Sequence, residues 1–167
     1  IKLRVKGDRT LHWYDKFQTS YKIDLRGDDR IWGLEEFSVQ KPITRNYIYE
    51  YIFHKLLESN HLIALKYFFI NLSINDTGQG IYAVEEGFSK ELIERNKKRN
   101  GPIFGVDEPI SINYPEITYD LYSEEYWRSN HSELIKSAFV KLDIIKNKKN
   151  SIGKFFDLEK WATYFAI

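Results

Sequence analysis

The segment from Tyr67 to Val84 constrains the fold most. Tyr67-Phe68-Phe69-Ile70-Asn71-Leu72-Ser73-Ile74 is a run of aromatic and β-branched side chains. Such shapes pack well on a pleated surface, and the run reads as a buried strand. Asn75-Asp76-Thr77-Gly78 supplies turn chemistry, and Ile81-Tyr82-Ala83-Val84 returns as the hairpin partner.

Two strands are expected before this hairpin. Ile1, Leu3 and Val5 alternate with Lys2, Arg4 and Lys6, the period of a half-buried strand, and Gly7-Asp8 closes it with a turn. Tyr21, Ile23 and Leu25 alternate with Lys22, Asp24 and Arg26 ahead of the turn Gly27-Asp28-Asp29. After Pro42 the period changes: Ile48, Tyr51, Ile52 and Leu56 follow helical spacing, with Tyr47, Glu50 and His54 on the other flank and Thr44 or Asn46 available as a cap. Ser89 is placed to cap a second helix running to about Asn100, where Gly101-Pro102 stops it. Residues 103–126 show few long periodic runs and predict an irregular segment. Asn130 with Glu133 makes a capping-box pattern for a helix whose apolar face is Leu134, Ile135, Ala138, Phe139, Leu142 and Ile145, and Asp157 to Phe165 reads as a further helix. The expected order is strand, strand, helix, strand, strand, helix, then mostly helical material. That is an α+β arrangement: an antiparallel sheet carrying one helix over residues 1–88, then the beginning of a helical second lobe over 89–167.

Charge and composition remove several function classes. The 25 Lys and Arg face 24 Asp and Glu for a net +1, which gives no global field for a polyanion, so no nucleic-acid partner is expected. Even the apolar stretch Leu62 to Leu72 is broken by Lys66 and Asn71, well short of the roughly 18 residues of a membrane span. Without Cys there is no disulfide, thiolate metal site or Cys nucleophile. His12, His54, His61 and His131 show no metal-site spacing, and no GxSxG elbow is present. Met is absent too. A complete translation product begins with Met, so the chain is expected to be a piece of a longer protein.

The element order is similar to that of a protein-kinase small lobe. There the first turn covers the phosphates, a strand lysine contacts them, and a helix glutamate orients that lysine. Gly7, Lys22 and Glu50 fall at those places. An ammonium near phosphates offsets concentrated negative charge, and a carboxylate partner fixes its position. Glu85 and Glu86 close the strand that leads into the second helix, where such a lobe uses backbone groups to hold adenine. On spacing alone Lys22 reads first as a solvated strand lysine, Glu50 as a solvated helix face, and Glu85 and Glu86 as exposed carboxylates at a strand end.

Specific strings say more than spacing. Lys6-Gly7-Asp8, Ser20-Tyr21-Lys22-Ile23-Asp24-Leu25, Trp32-Gly33-Leu34, Arg45-Asn46 and Gly80-Ile81-Tyr82-Ala83-Val84-Glu85-Glu86 occur in this order. Together with Asp157-Leu158-Glu159, Trp161-Ala162 and Tyr164-Phe165 they resemble the CotH family of atypical kinases over nearly the whole chain. The resemblance implies transfer of phosphate from ATP, with a divalent metal such as Mg, to Ser or Thr hydroxyls of a protein substrate. It also implies a bacterial spore-coat, cell-envelope or secreted setting. On this reading Gly7, Lys22, Glu50, Glu85 and Glu86 lie on the nucleotide side, no residue of the chain is catalytic or a metal ligand, and the catalytic and metal-binding Asp residues follow Ile167. The piece itself is then expected to be inactive. The alternative is a non-catalytic binding or assembly module of the envelope or spore coat with the same fold.

Overall fold

The computed structural model describes residues 1–6, 19–107, 118–146 and 152–167. Residues Ile1–Arg99, with Ile167, form one compact unit and Asn100–Ala166 a second. The architecture is α+β, as expected, with an antiparallel sheet in the first unit.

That sheet has five strands: β1 (Lys2–Val5), β2 (Tyr21–Asp24), β3 (Glu36–Gln40), β4 (Tyr67–Ile74) and β5 (Thr77–Glu86). Their spatial order is β1-β2-β3-β5-β4. The central β3 was not among the expected strands. Phe37 and Val39 alternate with Ser38 and Gln40, too short a repeat to stand out in the sequence, and in the fold all four are buried. On one face Leu25, Leu34, Phe37, Val39, Tyr82 and Val84 form the core, with Ile23, Phe68, Ile70 and Leu72 packed against them. Trp32, in the tight turn closed by the Ile31–Leu34 bridge, sets its ring edge-on to Phe37 at 5.6 Å and Phe68 at 5.3 Å. These contacts cap the apolar face.

Helix α1 (Tyr49–Ser59) sits beside β4 on the opposite face. Its orientation corrects the reading from periodicity. Ile48, Ile52 and Leu56 are exposed among the described residues, while His54 and Leu57 are buried and Glu50 is half-buried. The helix turns inward the side that carries Glu50, His54 and Leu57, where Tyr51 and His54 set their rings against Phe69 and Tyr67 of β4.

Helix α1 and helix α2 (Lys90–Arg95) end in the same way. His61 and Lys97 adopt left-handed φ of 57° and 55°. After α1, Leu62 N–H bonds Leu57 O at 2.9 Å and His61 N–H bonds Glu58 O at 3.0 Å; after α2, Lys98 N–H bonds Ile93 O at 3.1 Å and Lys97 N–H bonds Glu94 O at 2.9 Å. Both are Schellman ends, each with a side-chain-bearing residue where glycine is usual. Ser89 does cap α2, accepting from Leu92 N–H. The helix nevertheless stops at Arg95 rather than near Asn100, because the Asn96 amide donates to Leu92 O and Ala64 O and Lys97 then turns left-handed.

The second unit corrects the expectation of an irregular segment over 103–126. Strands β6 (Phe104–Asp107) and β7 (Thr118–Leu121) pair antiparallel, and α3 (Glu124–Asn130) follows. Residues 108–117 lie outside the described residues. Asn130 does not cap the next helix; its amide donates to Tyr126 O at 2.9 Å and closes α3. Helix α4 (Ser132–Lys146) starts after His131. Leu121, Trp127 and Ile135 form the small core here, with Phe104 and Phe139 against it. Helix α5 (Leu158–Ala166) falls where the sequence placed its last helix. No helix among the described residues is long and apolar enough to cross a membrane.

Candidate functional site

Cross-strand partners in a sheet point to one face. The register makes a row across all five strands: Arg4 opposes Lys22, Lys22 opposes Ser38, Ser38 opposes Glu85, and Glu85 opposes Tyr67. This row lies on the face that α1 attends, away from the apolar core. Lys22 and Glu85 are thereby held two strand spacings apart, roughly 10 Å.

Glu85 is the centre of a charge network. Lys6 Nζ stands 2.9 Å from Glu85 Oε2, Gln40 Nε2 donates to the same oxygen, and an Arg45 guanidinium nitrogen lies 3.8 Å from Oε1. The pair is largely shielded, with side-chain exposures of 21% for Lys6 and 12% for Glu85. Gln40 is fully buried, so its donor has no water to turn to.

Glu50 projects from α1 into the same surroundings. Its Oε1 lies 3.3 Å from His54 Nε2, one turn along the helix. The imidazole of His54 holds the Glu50 carboxyl below its ordinary range, and the charges of Arg45 and Lys6 add to this against the opposing effect of burial. His54 lies face to face with the Tyr67 ring at 5.8 Å. Burial, with the negative charges of Glu85 and Glu50, pushes the Tyr67 phenol up to about 12.

The expected site residues fall as follows. Lys22 Nζ forms its ion pair with Glu36 on β3, and Glu50 contacts His54. Lys22, Glu50 and Glu85 share one face; Gly7 lies outside the described residues. Glu86 points to the other face and is buried. Its carboxylate accepts from Lys66 N–H at 2.7 Å and from the Arg95 guanidinium, tying the end of β5 to α2. The amide of Glu86 donates to Lys66 O at 3.0 Å and that of Gly87 to Glu36 O at 2.8 Å. Among the described residues no group of three or more His, Cys, Asp or Glu side chains is placed to hold a metal ion.

Sequence reasoning passed over Lys6, Gln40, Arg45, His54 and Tyr67. One signal was available. Glu50 and His54 stand four apart, the spacing at which helix side chains meet. Lys6 and Arg45 lie within the strings that carry the family resemblance, but nothing local says that they converge on Glu85.

Chemically, Lys6, Lys22 and Arg45 on this face each lie near a carboxylate that can fix them. The paired carboxylates offset the mutual repulsion of these cations and fix their positions.

The family model described as CotH kinase protein matches residues 3–167. No curated protein matches the chain.

Proposed function

The chain belongs to the CotH kinase family, a kinase-like function at family level, and from that premise we propose that it forms the nucleotide side of a phosphotransferase. The full-length protein moves phosphate from ATP, with a divalent metal such as Mg, to Ser or Thr hydroxyls of a protein substrate. The observation that carries this reading is the row Lys22, Ser38, Glu85 across three strands, with Lys6 on Glu85 and Glu50 beside it from α1.

In this reading Lys22 and Lys6 supply positive charge toward the phosphates. Glu36 and Glu85 hold these lysines extended, and Glu50 keeps His54 and Arg45 in place. The Gly7 turn covers the phosphates, and the backbone around Glu85 and Glu86 meets the adenine. Glu86 acts by fixing that segment through Arg95 and Lys66. The metal supplies charge neutralisation at the transferring phosphate when bound.

The test is phosphorylation of an acceptor protein by the full-length protein with labelled ATP, comparing Lys6→Ala and Lys22→Ala with the parent. Each variant is expected to lose most of the activity. Parental rates in both would sink the reading. A protein that neither binds ATP nor transfers phosphate would instead have the non-catalytic assembly role.

A further inference from the structure

An asparagine followed by glycine is chemically unstable wherever the backbone lets the two meet. The nitrogen of the next residue can attack the asparagine side-chain carbonyl, and a glycine there has no Cβ to obstruct the approach. Asn100-Gly101 is the one such pair in the sequence. The other asparagines precede larger residues, among them Tyr47, His61, Leu72, Asp76, Lys97 and His131.

The fold leaves this pair free to react. Asn100 is exposed and Gly101 half-buried, and residues 98–103 belong to no helix or strand. Other asparagine amides are engaged: Asn60 and Asn96 donate to Leu56 O and Leu92 O at 2.8 Å, and Asn130 donates to Tyr126 O at 2.9 Å. Among the described residues neither the Asn100 side chain nor the backbone of the pair has such a partner. Lys97, Lys98 and Arg99 come just before it, all exposed and without a carboxylate partner among the described residues. Positive charge nearby favours loss of the Gly101 amide proton and steadies the oxyanion formed as the nitrogen attacks.

We propose that Asn100 is a site of spontaneous deamidation in the folded chain. The Gly101 nitrogen gives up its proton and bonds to Cγ of Asn100, the Cγ–Nδ2 bond breaks, and the amide leaves as ammonia with that proton. A five-membered succinimide ring results. Water then opens the ring at one of its two carbonyls. Opening at Cγ restores the original backbone with an aspartate, whereas opening at the main-chain carbonyl carbon leaves the backbone running through Cγ as an isoaspartate. Water is the sole co-reactant, and nothing is oxidised or reduced. Either product sets a carboxylate beside the three cations and takes the net charge of the chain from +1 to zero. Isoaspartate also lengthens the backbone by one methylene at the first residue of the second unit. The proposal stands apart from the nucleotide-side reading, since it needs neither ATP nor the face that carries Lys22 and Glu85.

The experiment is peptide mapping by mass spectrometry of the purified chain, held at mildly alkaline pH over a time course without nucleotide. The peptide that contains Asn100 is expected to convert steadily to an isoaspartyl and an aspartyl form, with the isoaspartyl form in excess. Isoelectric focusing should show the matching acidic shift of the whole chain. Gly101→Ala should lose most of that shift, because its methyl group crowds the attacking nitrogen. Gly101 is not among the glycines with left-handed φ, so alanine can adopt its backbone. Asn100→Gln is a second block, since its longer side chain would have to close a six-membered ring, and circular dichroism checks that both variants fold. An Asn100 peptide that stays unchanged in the folded chain overturns the proposal, whether or not it converts in urea. So does conversion at another asparagine ahead of Asn100, or the same acidic shift in Asn100→Gln.

Discussion

Lys6 Nζ and the Glu85 carboxylate stand 2.9 Å apart although 79 residues separate them in the chain. The lysine leaves the end of β1 and crosses over β2 and β3 to reach β5. A side chain held in this way joins the segment before the first turn to the segment that leads into α2. Removing it should loosen both.

Lys6→Ala leaves Glu85 with Gln40 and Arg45 only. The expected cost is about 1–2 kcal/mol of stability, since a shielded, hydrogen-bonded charge loses its main partner. Glu85→Gln tests the same pair from the other side. Urea unfolding of both variants checks the value, and a loss confined to one of them would mean that the two groups are not acting as a pair.

Gly87 approaches Glu36 too closely for any side chain. A Cβ there would meet Glu36 Oε1 at 2.8 Å, its Cγ at 2.9 Å and its backbone O at 2.9 Å. Gly87→Ala is therefore expected to destabilise by about 1–3 kcal/mol. It should also displace the carboxylate that holds Lys22, so in the full-length protein ATP affinity should fall along with stability. Unchanged unfolding and unchanged nucleotide binding would contradict this.

Acid should expose the role of Glu50. Its folded carboxyl lies below the ordinary value of 4.5, so it binds protons less readily folded than unfolded. Its contribution to stability is complete above that ordinary value and disappears as pH falls through the lower folded value. The gap in stability between the parent and Glu50→Gln should be open at neutral pH and close in that acid range, as followed by denaturant titration at a series of pH values. Tyr67 behaves in the opposite sense. Its folded pKa of about 12 lies above the ordinary 10.0, so its contribution is complete below pH 10.0 and disappears as pH rises through the folded value. Tyr67→Phe should remove that alkaline loss.

The two left-handed helix ends offer a gain. His61 and Lys97 adopt a conformation that disfavours a Cβ. Glycine is free of that strain, although it loses more entropy on folding. His61→Gly and Lys97→Gly are each expected to stabilise by about 0.5–1 kcal/mol, read as a rise in melting temperature. A drop in both would mean that these side chains hold contacts worth more than the strain.

The fold was legible wherever local period matched the final surroundings. Strands β1, β2 and β4 alternate or run apolar as strands do, and Ser89 caps its helix. The strings that carry the family resemblance also lie in the sequence, and the family match covers them. Strand β3 escaped because its alternation has only two apolar members, Phe37 and Val39, against three each in the runs of β1 and β2. The β6–β7 hairpin escaped because each strand offers only two alternating apolar residues, Phe104 and Val106 in one and Tyr119 and Leu121 in the other, against three each in the runs of β1 and β2.

The site was legible by face and not by pairing. Alternation along β2 puts Lys22 on the polar face, and helical spacing puts Glu50 and His54 together. Which carboxylate meets which cation is another matter. Lys22 has Glu36 on the neighbouring strand within reach, and Lys6 reaches Glu85 across two strands; both follow from strand order, which joins β3 to β5 and leaves β4 at the edge. By itself, then, the sequence determined the strands with a clear period, the absence of thiol chemistry and the kinase family. Tertiary structure alone decided that α1 turns Glu50, His54 and Leu57 inward, that Glu85 gathers Lys6, Gln40 and Arg45, and that Glu86 serves the opposite face. The physical reason is that period sets the direction of a side chain relative to its own backbone, whereas partners are set by which backbones lie side by side.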